Sequence, residues 1–452
     1  MEEKALLNTL RYLNFKCDKA SKIRVRSECS RIFRLAETNC VDFKKGLQKV
    51  VYSKKGKKRY VAKYTSAFDE GYSIERNLAH QISKACKINF PNRALMIHEL
   101  FGIIEVLKFM MDYTIIRFDF RGYFYSIKPV YVWETLLKDT LPEYVDIDLI
   151  EKYCKSMDIA YPGLEMSNVI AELIGLEFDR RLKSYVQDYG ILFYGRFVDD
   201  GVFILKKGVD EISLKKVMNK ALKETYQKCG FSAKCKTKFH PSNSQKFLIK
   251  TMRDIYNSPL DFSFLGYHFH VEYNTENGNM LSSYGIVQEK IDKYMSRLTN
   301  ALKTCANGEQ CMLMLRIQLS RVVYSIKEDG VDYWKERGFA SIYKELREVK
   351  DDSNIILSTK SSLESLAYNA LVNSGNARLL SNAQMNAVQN GKKYNLYSSI
   401  RSRNTLIFDY HTRIGYDWKT LLKHVKTMRG SCKNVDYQSL TKELLIKTKI
   451  GY

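Results

Sequence analysis

The sequence predicts an α+β protein in which a few short strands lie between long helical segments. The run from Ile191 to Leu205 carries two apolar, β-prone segments that flank the four residues Val198, Asp199, Asp200 and Gly201. An Asp-Gly pair between two such segments is a strong local signal for a β-hairpin. Long stretches on both sides repeat apolar residues at helical spacing instead. A chain of 452 residues is long enough for two or three domains with a sizeable core.

The chain is basic along its whole length, with 73 Lys and Arg against 50 Asp and Glu and a net charge of +23. This excess favours a polyanionic partner, most simply nucleic acid. The alternative is a protein that is merely basic, such as one bound to a membrane surface. No apolar run is long enough to span a bilayer, and the ten cysteines show no zinc-ligand spacing. We therefore expect a soluble, cytoplasmic protein with free thiols and no membrane partner.

The N-terminal part is predicted to be mainly helical, with one β-hairpin whose tip is strongly cationic. Two β-prone runs enclose the residues from Lys54 to Arg59, of which five are Lys or Arg. A charge run of this kind is usually a solvated face. Equally, Lys57, Arg59 and Lys63 could clamp a triphosphate, because Lys and Arg supply both charge and hydrogen-bond donors.

The apolar pattern changes to a period of two over residues 113–120, which predicts a strand that ends near Asp119. The side chain of Asp119 would lie on the face opposite to Phe118 and Phe120. One carboxylate late in this strand and a pair, Asp199 and Asp200, on a later hairpin are what a two-metal phosphoryl-transfer centre needs.

Nothing in the local sequence neutralises this pair of carboxylates. Neither Lys nor Arg occurs between Arg196 and Lys206. Burying two adjacent carboxylates is costly unless a cation pairs with them, so we expect a divalent cation at this turn. A solvated turn is the simpler alternative for an isolated hairpin.

These segments resemble the motifs of reverse transcriptases. The stretch FDFRGYFYSI (118–127) is similar to the first catalytic motif of that family, and FVDD (197–200) to its catalytic hairpin. Three further segments follow in the family's order. Residues 163–167 open a helix like the template-handling motif, GFSAKCKT (230–237) resembles the motif that supplies a lysine, and FLGY (264–267) resembles the primer grip.

The resemblance implies the right-hand polymerase fold. This is an α+β architecture with fingers and a palm built on a small antiparallel sheet, followed by an all-α thumb and a C-terminal helical extension. It divides the chain into N-terminal helices and fingers over 1–112, a palm over 113–275 with a fingers insertion at about 128–162, and the α-helical thumb and extension over 276–452. Within this last region Leu315, Leu319, Val322 and Ile326 fit one helical face.

The resemblance also assigns roles to residues. Asp119, Asp199 and Asp200 would be catalytic and would hold two Mg²⁺ ions. Lys236 would protonate the departing pyrophosphate, although Lys234 and Lys238 compete for that position. The dNTP would be bound by Lys57, Arg59, Lys63, Arg121, Gly122, Tyr123 and Phe124. Phe124 falls on the position of the steric gate, which excludes the ribose 2′-hydroxyl. Template and primer would contact Gly163, Ser167, Phe264, Leu265, Gly266 and Tyr267.

Within the family, the chain looks most like the abortive-infection and other defence-associated bacterial reverse transcriptases. We therefore expect an RNA-directed DNA polymerase that acts in antiphage defence. Its partners would be dNTPs, a DNA product and a bound non-coding RNA template, unless synthesis is untemplated or primed by the protein. The sequence leaves open whether the protein forms a homo-oligomer. The alternative is a nucleic-acid-binding scaffold that keeps the polymerase fold and polymerises little.

Overall fold

The computed structural model describes residues 1–16, 22–54, 57–120, 122–226, 248–276, 278–328, 331–402, 405–408, 415–429 and 436–448. Over these ranges the architecture is α+β with small, mainly antiparallel sheets, as the sequence predicts. The chain forms two compact units: residues 1–96 with 109–254, and residues 97–108 with 255–452. None of the described helices has the length and apolar character needed to cross a membrane. The division into fingers, palm and thumb stays a prediction.

Helices make up most of the regular structure. In chain order they are α1 (Glu3–Lys16), α2 (Lys22–Glu37), α3 (Glu70–Ala85), α4 (Arg93–Leu107), α5 (Pro129–Val132), α6 (Ile147–Ser156), α7 (Glu165–Val186), α8 (Glu211–Tyr226), α9 (Met252–Asn257), α10 (Gln288–Leu302), α11 (Gly308–Leu319), α12 (Phe339–Ile342), α13 (Leu357–Ser374), α14 (Asn382–Gln389), α15 (Leu396–Arg401), α16 (Trp418–Arg429) and α17 (Tyr437–Lys447).

The strands are short. They are β1 (Leu47–Lys54), β2 (Lys57–Tyr64), β3 (Thr114–Asp119), β4 (Ile191–Phe197), β5 (Asp200–Leu205), β6 (Leu248–Thr251), β7 (Leu260–Phe264), β8 (Tyr267–Asn274), β9 (Asn279–Ile286), β10 (Arg321–Glu328), β11 (Val331–Arg337) and β12 (Thr405–Phe408).

The first unit is built on a four-stranded antiparallel sheet with strand order β4-β5-β3-β6. The sequence alternates along β3, and the structure follows it: Phe118 and Phe120 are buried, whereas Arg117 and Asp119 are half-buried. The two phenylalanine rings lie against Phe178 of α7, with ring centroids 6.0 and 5.1 Å apart. One face of the sheet therefore forms core with α7.

The predicted cationic hairpin is confirmed as the antiparallel pair β1–β2, in which Leu47 lies opposite Tyr64. The predicted helix after Gly163 is confirmed as α7, 22 residues long. Its first turn is fixed by a buried carboxyl group of α3, because Glu75 accepts a hydrogen bond from the main-chain N–H of Met166 at 2.8 Å. An acceptor at this place satisfies one of the unpaired N–H groups of a helix start.

In the second unit, the three-stranded antiparallel sheet β7-β8-β9 contains the FLGY segment as a two-residue hairpin loop. Phe101 of α4 lies against this sheet, with its ring 5.6 Å from that of Tyr267 and 4.7 Å from that of Tyr284. The ring contacts place this sheet in the apolar core of the second unit.

The prediction that the chain is all-α beyond residue 275 is wrong. Strand β9 ends within this region, and a second three-stranded sheet, with order β11-β10-β12, follows α11. Val322 and Ile326, which were expected on a helical face, lie in β10. The segment from Val322 to Ile326 also fits a period of two, with Val322 and Tyr324 buried in alternation. A short apolar run of this kind does not separate strand from helix by spacing alone.

Candidate active site

The three predicted carboxylates lie together at one end of the first unit's sheet. Asp119 is directly opposite Asp200 in the pairing of β3 with β5. The main-chain N–H of Phe120 donates to the main-chain carbonyl of Asp199 at 2.8 Å, which extends the contact by one residue into the turn. Directly opposite residues have Cβ atoms roughly 4.5–5.5 Å apart. Main-chain pairing thus brings together carboxylates that are far apart in sequence.

The hairpin turn is displaced from the position that the Asp-Gly signal indicates. Phe197 pairs with Asp200, so Val198 and Asp199 form the two-residue loop and Gly201 lies inside β5. A Cβ atom on Gly201 would lie 2.1 Å from the ring of Phe118, which explains the glycine by close packing. The predicted hairpin is confirmed, but Gly201 serves strand packing and is not part of the loop.

Val198 carries a positive φ of 60° in this turn. A β-branched residue in this region is a genuine outlier, because its side chain crowds the main chain. Such strain is held only where surrounding contacts fix it, and it clusters at functional sites. The strained residue directly precedes Asp199.

Asp200 has a cationic partner, contrary to the expectation that a metal alone would neutralise the pair. The Arg117 Nη2 atom lies 3.3 and 3.4 Å from the two carboxylate oxygens of Asp200. Arg117 comes from the neighbouring strand β3, two residues before Asp119 and on the same face. Its position diagonal to Asp200 follows from the strand pairing. Searching only the residues around the turn missed this partner.

The donor set suits Mg²⁺, which prefers carboxylate oxygens. Asp119, Asp199 and Asp200 are the residues that could hold such an ion, because all three are half-buried at the same sheet end. Across the described ranges, however, no three His, Cys, Asp or Glu side chains already converge to a metal-binding geometry.

The cationic hairpin is attached beside the first motif. The Tyr125 hydroxyl donates to the main-chain carbonyl of Tyr60 at 2.6 Å and accepts from its N–H at 3.0 Å. On β2, the N–H of Ala62 donates to the carbonyl of Pro162 at 2.8 Å. Strand β2 is thereby hydrogen-bonded to Tyr125 on one side and to Pro162 on the other. Lys63, the residue after Ala62, is exposed.

Several predicted nucleotide contacts cannot be placed. The main chain of Lys57 and Arg59 belongs to β2, but their side chains lie outside the described part of the structure. Arg121 and Lys236, with the competing Lys234 and Lys238, also fall outside the described residues.

In the first motif, Phe124 and its neighbour Tyr123 differ in how deeply their side chains are buried. Gly122 is exposed with a φ of 66°, and Phe124 is half-buried in a short 3₁₀ helix, Phe124–Ser126. The ring of Tyr123 is 2% exposed, and its hydroxyl donates to the carbonyl of Ala171 at 2.7 Å. The Tyr123 side chain is therefore a core residue, and the prediction that it contacts the nucleotide is not supported by this position.

The segment 163–167, which resembles the template-handling motif, begins with a glycine packed against β2. Gly163 has a φ of 106°, and a Cβ atom there would lie 2.5 Å from the Ala62 carbonyl oxygen, so only glycine fits. Ser167 is completely buried, which removes its side chain from contact with a template in this conformation.

Glu75, which the sequence alone did not single out, lies nearby and is also fully buried. Burial raises the pKa of Glu75 to about 8.

In the FLGY hairpin of the second unit, the outer two residues are core and the inner two form the loop. Phe264 and Tyr267 are fully buried, and the Tyr267 hydroxyl donates to Glu345 at 2.5 Å. Leu265 and Gly266 carry positive φ values of 50° and 86°. Leu265 and Gly266 alone among these four are partly accessible for contact with a primer.

No protein-family model matches the chain, and no curated protein matches it.

Proposed function

We propose that the protein is a DNA polymerase of the reverse transcriptase type, which extends a strand by nucleotidyl transfer from dNTPs. The observation that carries the proposal is the pairing of Asp119 with Asp200 beside the strained turn that presents Asp199. Three carboxylates at one sheet end repel one another, and bound metal ions would offset this unfavourable repulsion.

The chain's own residues would divide the reaction as follows. Asp119 and Asp199 would hold two Mg²⁺ ions, with Asp200 completing the set. When bound, such ions activate the attacking hydroxyl and stabilise the triphosphate and the leaving pyrophosphate. Lys63 and the rest of the cationic hairpin would orient the triphosphate, since β2 is fastened to the first motif by Tyr125.

Phe124 supports a preference for deoxynucleotides. Its ring is half-buried and lies next to Tyr123, with centroids 6.0 Å apart. A ring fixed by its neighbours can exclude a 2′-hydroxyl by volume, whereas a mobile one would yield. RNA as template and a role in bacterial antiphage defence rest on the resemblance of the motifs alone.

A scaffold with little polymerase activity is the second candidate, and one observation favours it. The ion pair of Arg117 with Asp200 neutralises part of the carboxylate cluster without any metal. An inactive descendant of a polymerase could keep its fold in this way.

A polymerisation assay separates the two candidates. The purified protein is incubated with Mg²⁺ and each labelled dNTP, with and without the RNA that co-purifies with it. Incorporation that stops on chelation with EDTA supports the polymerase. If no dNTP is incorporated under any of these conditions, while the protein still binds nucleic acid, the scaffold is the better description.

A further inference from the structure

We propose that Arg196 is a positioning residue whose buried guanidinium holds the Val198 carbonyl and so sets the place of Asp199. This inference rests on the proposed function, in which Asp199 binds metal. Arg196 lies on β4, three residues before Asp199, and its side chain is 1% exposed. It touches no nucleotide or metal itself, so its effect would pass through the turn.

The guanidinium is held on several sides by acceptors. Its Nε atom lies 2.8 and 3.0 Å from the two carboxylate oxygens of Asp179. Its Nη2 and Nη1 atoms donate to Glu172 at 2.8 and 3.3 Å. Both acids belong to α7, so the planar fork of Arg196 is fixed relative to that helix. A two-sided arrangement of this kind is specific to arginine.

The remaining donor direction reaches the catalytic turn. Arg196 Nη1 also donates to the main-chain carbonyl of Val198 at 2.9 Å. Val198 is the residue with the unfavourable positive φ. The hydrogen bond therefore links a rigid buried cluster to the residue that most needs to be held.

The surroundings are built for this cluster. A Cβ atom on Gly175 would lie 2.5 Å from the Cζ atom of Arg196, so α7 carries a glycine where the guanidinium packs. The Tyr194 hydroxyl donates to Asp179 at 2.6 Å and fixes that carboxylate further. Burial raises the pKa of Glu172, and the neighbouring Arg196 guanidinium opposes that rise.

Stability alone does not explain such a cluster. Two carboxylates and one guanidinium are desolvated together, and buried ion groups are often no better for stability than apolar residues of similar volume. Their advantage is a defined geometry. Here that geometry ends at the Val198 carbonyl, one residue from the proposed metal ligand.

The test uses the full chain, with Mn²⁺ as the metal probe. Arg196→Lys keeps the charge but loses the fork. We expect it to fold, as judged by circular dichroism, but to bind Mn²⁺ roughly 10–100-fold more weakly, because groups that orient metal ligands have effects of this size. The kcat of dNTP incorporation should fall by a similar factor, while KM for dNTP changes less than about twofold. Arg180→Lys is the matched control, since Arg180 is exposed on α7 and pairs with Glu177 three residues earlier on the same helix.

The outcomes are separable. A folded Arg196→Lys protein with wild-type Mn²⁺ affinity and kcat overturns the positioning role. If this variant does not fold, Asp179→Asn replaces it in the same measurements, because the Asp179 side chain is 13% exposed and better able to tolerate change. If neither variant folds, the cluster serves folding and the proposal is rejected. A wild-type protein without an Asp199-dependent Mn²⁺ site overturns the proposed function itself, and the positioning role with it.

Discussion

The main-chain N–H of Phe120 donates to the main-chain carbonyl of Asp199, at 2.8 Å, and thereby joins the end of β3 to the β4–β5 turn. Together with the pairing of Asp119 and Asp200, this hydrogen bond assembles the candidate site from main-chain contacts. We therefore expect the fold around these carboxylate side chains to form without them.

Replacing both Asp199 and Asp200 with Ala should abolish nucleotide incorporation and leave the fold intact. Losing several kcal/mol of transition-state stabilisation corresponds to about a thousandfold or more in rate. Removing clustered anions relieves their repulsion, whereas losing Asp200 also removes its ion pair with Arg117. The melting temperature should therefore fall by no more than the loss of that one ion pair accounts for. Primer extension and thermal melting check the two halves. Retained incorporation in the double variant would refute the mechanism.

Phe124→Ala should raise the incorporation of rNTPs relative to dNTPs, because the gate acts through the volume of the ring. The ratio of kcat/KM for a matched rNTP and dNTP measures the effect. Phe90→Ala is the control, because Phe90 is a half-exposed phenylalanine outside the candidate site. An unchanged ratio in the Phe124 variant would assign discrimination to another residue.

Tyr125→Phe should weaken dNTP binding without unfolding the protein. The change removes one hydroxyl that makes two hydrogen bonds to the main chain of Tyr60, and so loosens β2. Hydrogen bonds contribute about 0.5–1.5 kcal/mol each. Losing both bonds corresponds to about 1–3 kcal/mol, so we expect KM for dNTP to rise by about fivefold to a hundredfold, with a smaller change in kcat. Tyr144→Phe, on an exposed tyrosine, should leave KM unchanged. An unaltered KM in the Tyr125 variant would show that the position of the hairpin does not affect nucleotide binding.

Glu75 should make the protein less stable as pH rises through the neutral range. Its pKa is raised to about 8 by burial in the folded state. In the unfolded chain the pKa is about 4.3, so between these values the folded state holds one proton more. The free energy of unfolding then falls with increasing pH, by at most about 1.4 kcal/mol per pH unit.

Glu75→Gln keeps an acceptor for the Met166 N–H and removes this titration. Denaturant unfolding of both proteins from pH 5 to 8 measures the difference in slope. Glu134→Gln, on an exposed glutamate, serves as control. Identical slopes for Glu75→Gln and wild type would show that Glu75 is ionised throughout.

We expect the protein to make DNA from a bound RNA, or without a free template, rather than to copy arbitrary added strands. Reverse transcriptases, which these motifs resemble, usually have Gly-x-Pro-Gln-Gly before the corresponding helix, whereas this chain has Tyr161-Pro162-Gly163 and no glutamine. The Pro162 carbonyl also accepts a hydrogen bond from the main-chain N–H of Ala62, so this part of the chain is held against β2. Protein purified from its host is treated separately with nuclease and with protease before product analysis. Efficient copying of any supplied primer–template, with no peptide left on the product, would contradict this.

The sequence predicts those parts of the site that depend on local pattern. The alternation around Phe118 places Asp119 on the half-buried face, and the apolar runs place the hairpin. It does not predict contacts made across the fold. The pairing of Arg117 with Asp200 requires the register of β3 on β5, and the helix-capping role of Glu75 requires α3 to meet α7.

Within the predicted turn, the Asp-Gly signal points to later residues than the observed loop for a related reason. Asp200 and Gly201 have the composition of a hairpin loop, but tertiary packing against Phe118 gives Gly201 a place in the strand. The strain at Val198 is then held by Arg196 from outside the loop. Residue composition reports what a turn prefers, whereas here the surrounding core decides where the chain turns.

The close packing of the Phe118 ring on Gly201 fixes the register in which β3 pairs with β5. A side chain of any size at this point of β5 would meet the ring, since even a Cβ atom would approach to 2.1 Å. A slip of one residue would put Asp200 or Val202 against Phe118 and would turn every side chain of β5 to the opposite face. The alignment of the two aspartates is thus decided by a contact between carbon atoms in the core, before any substrate or ion arrives.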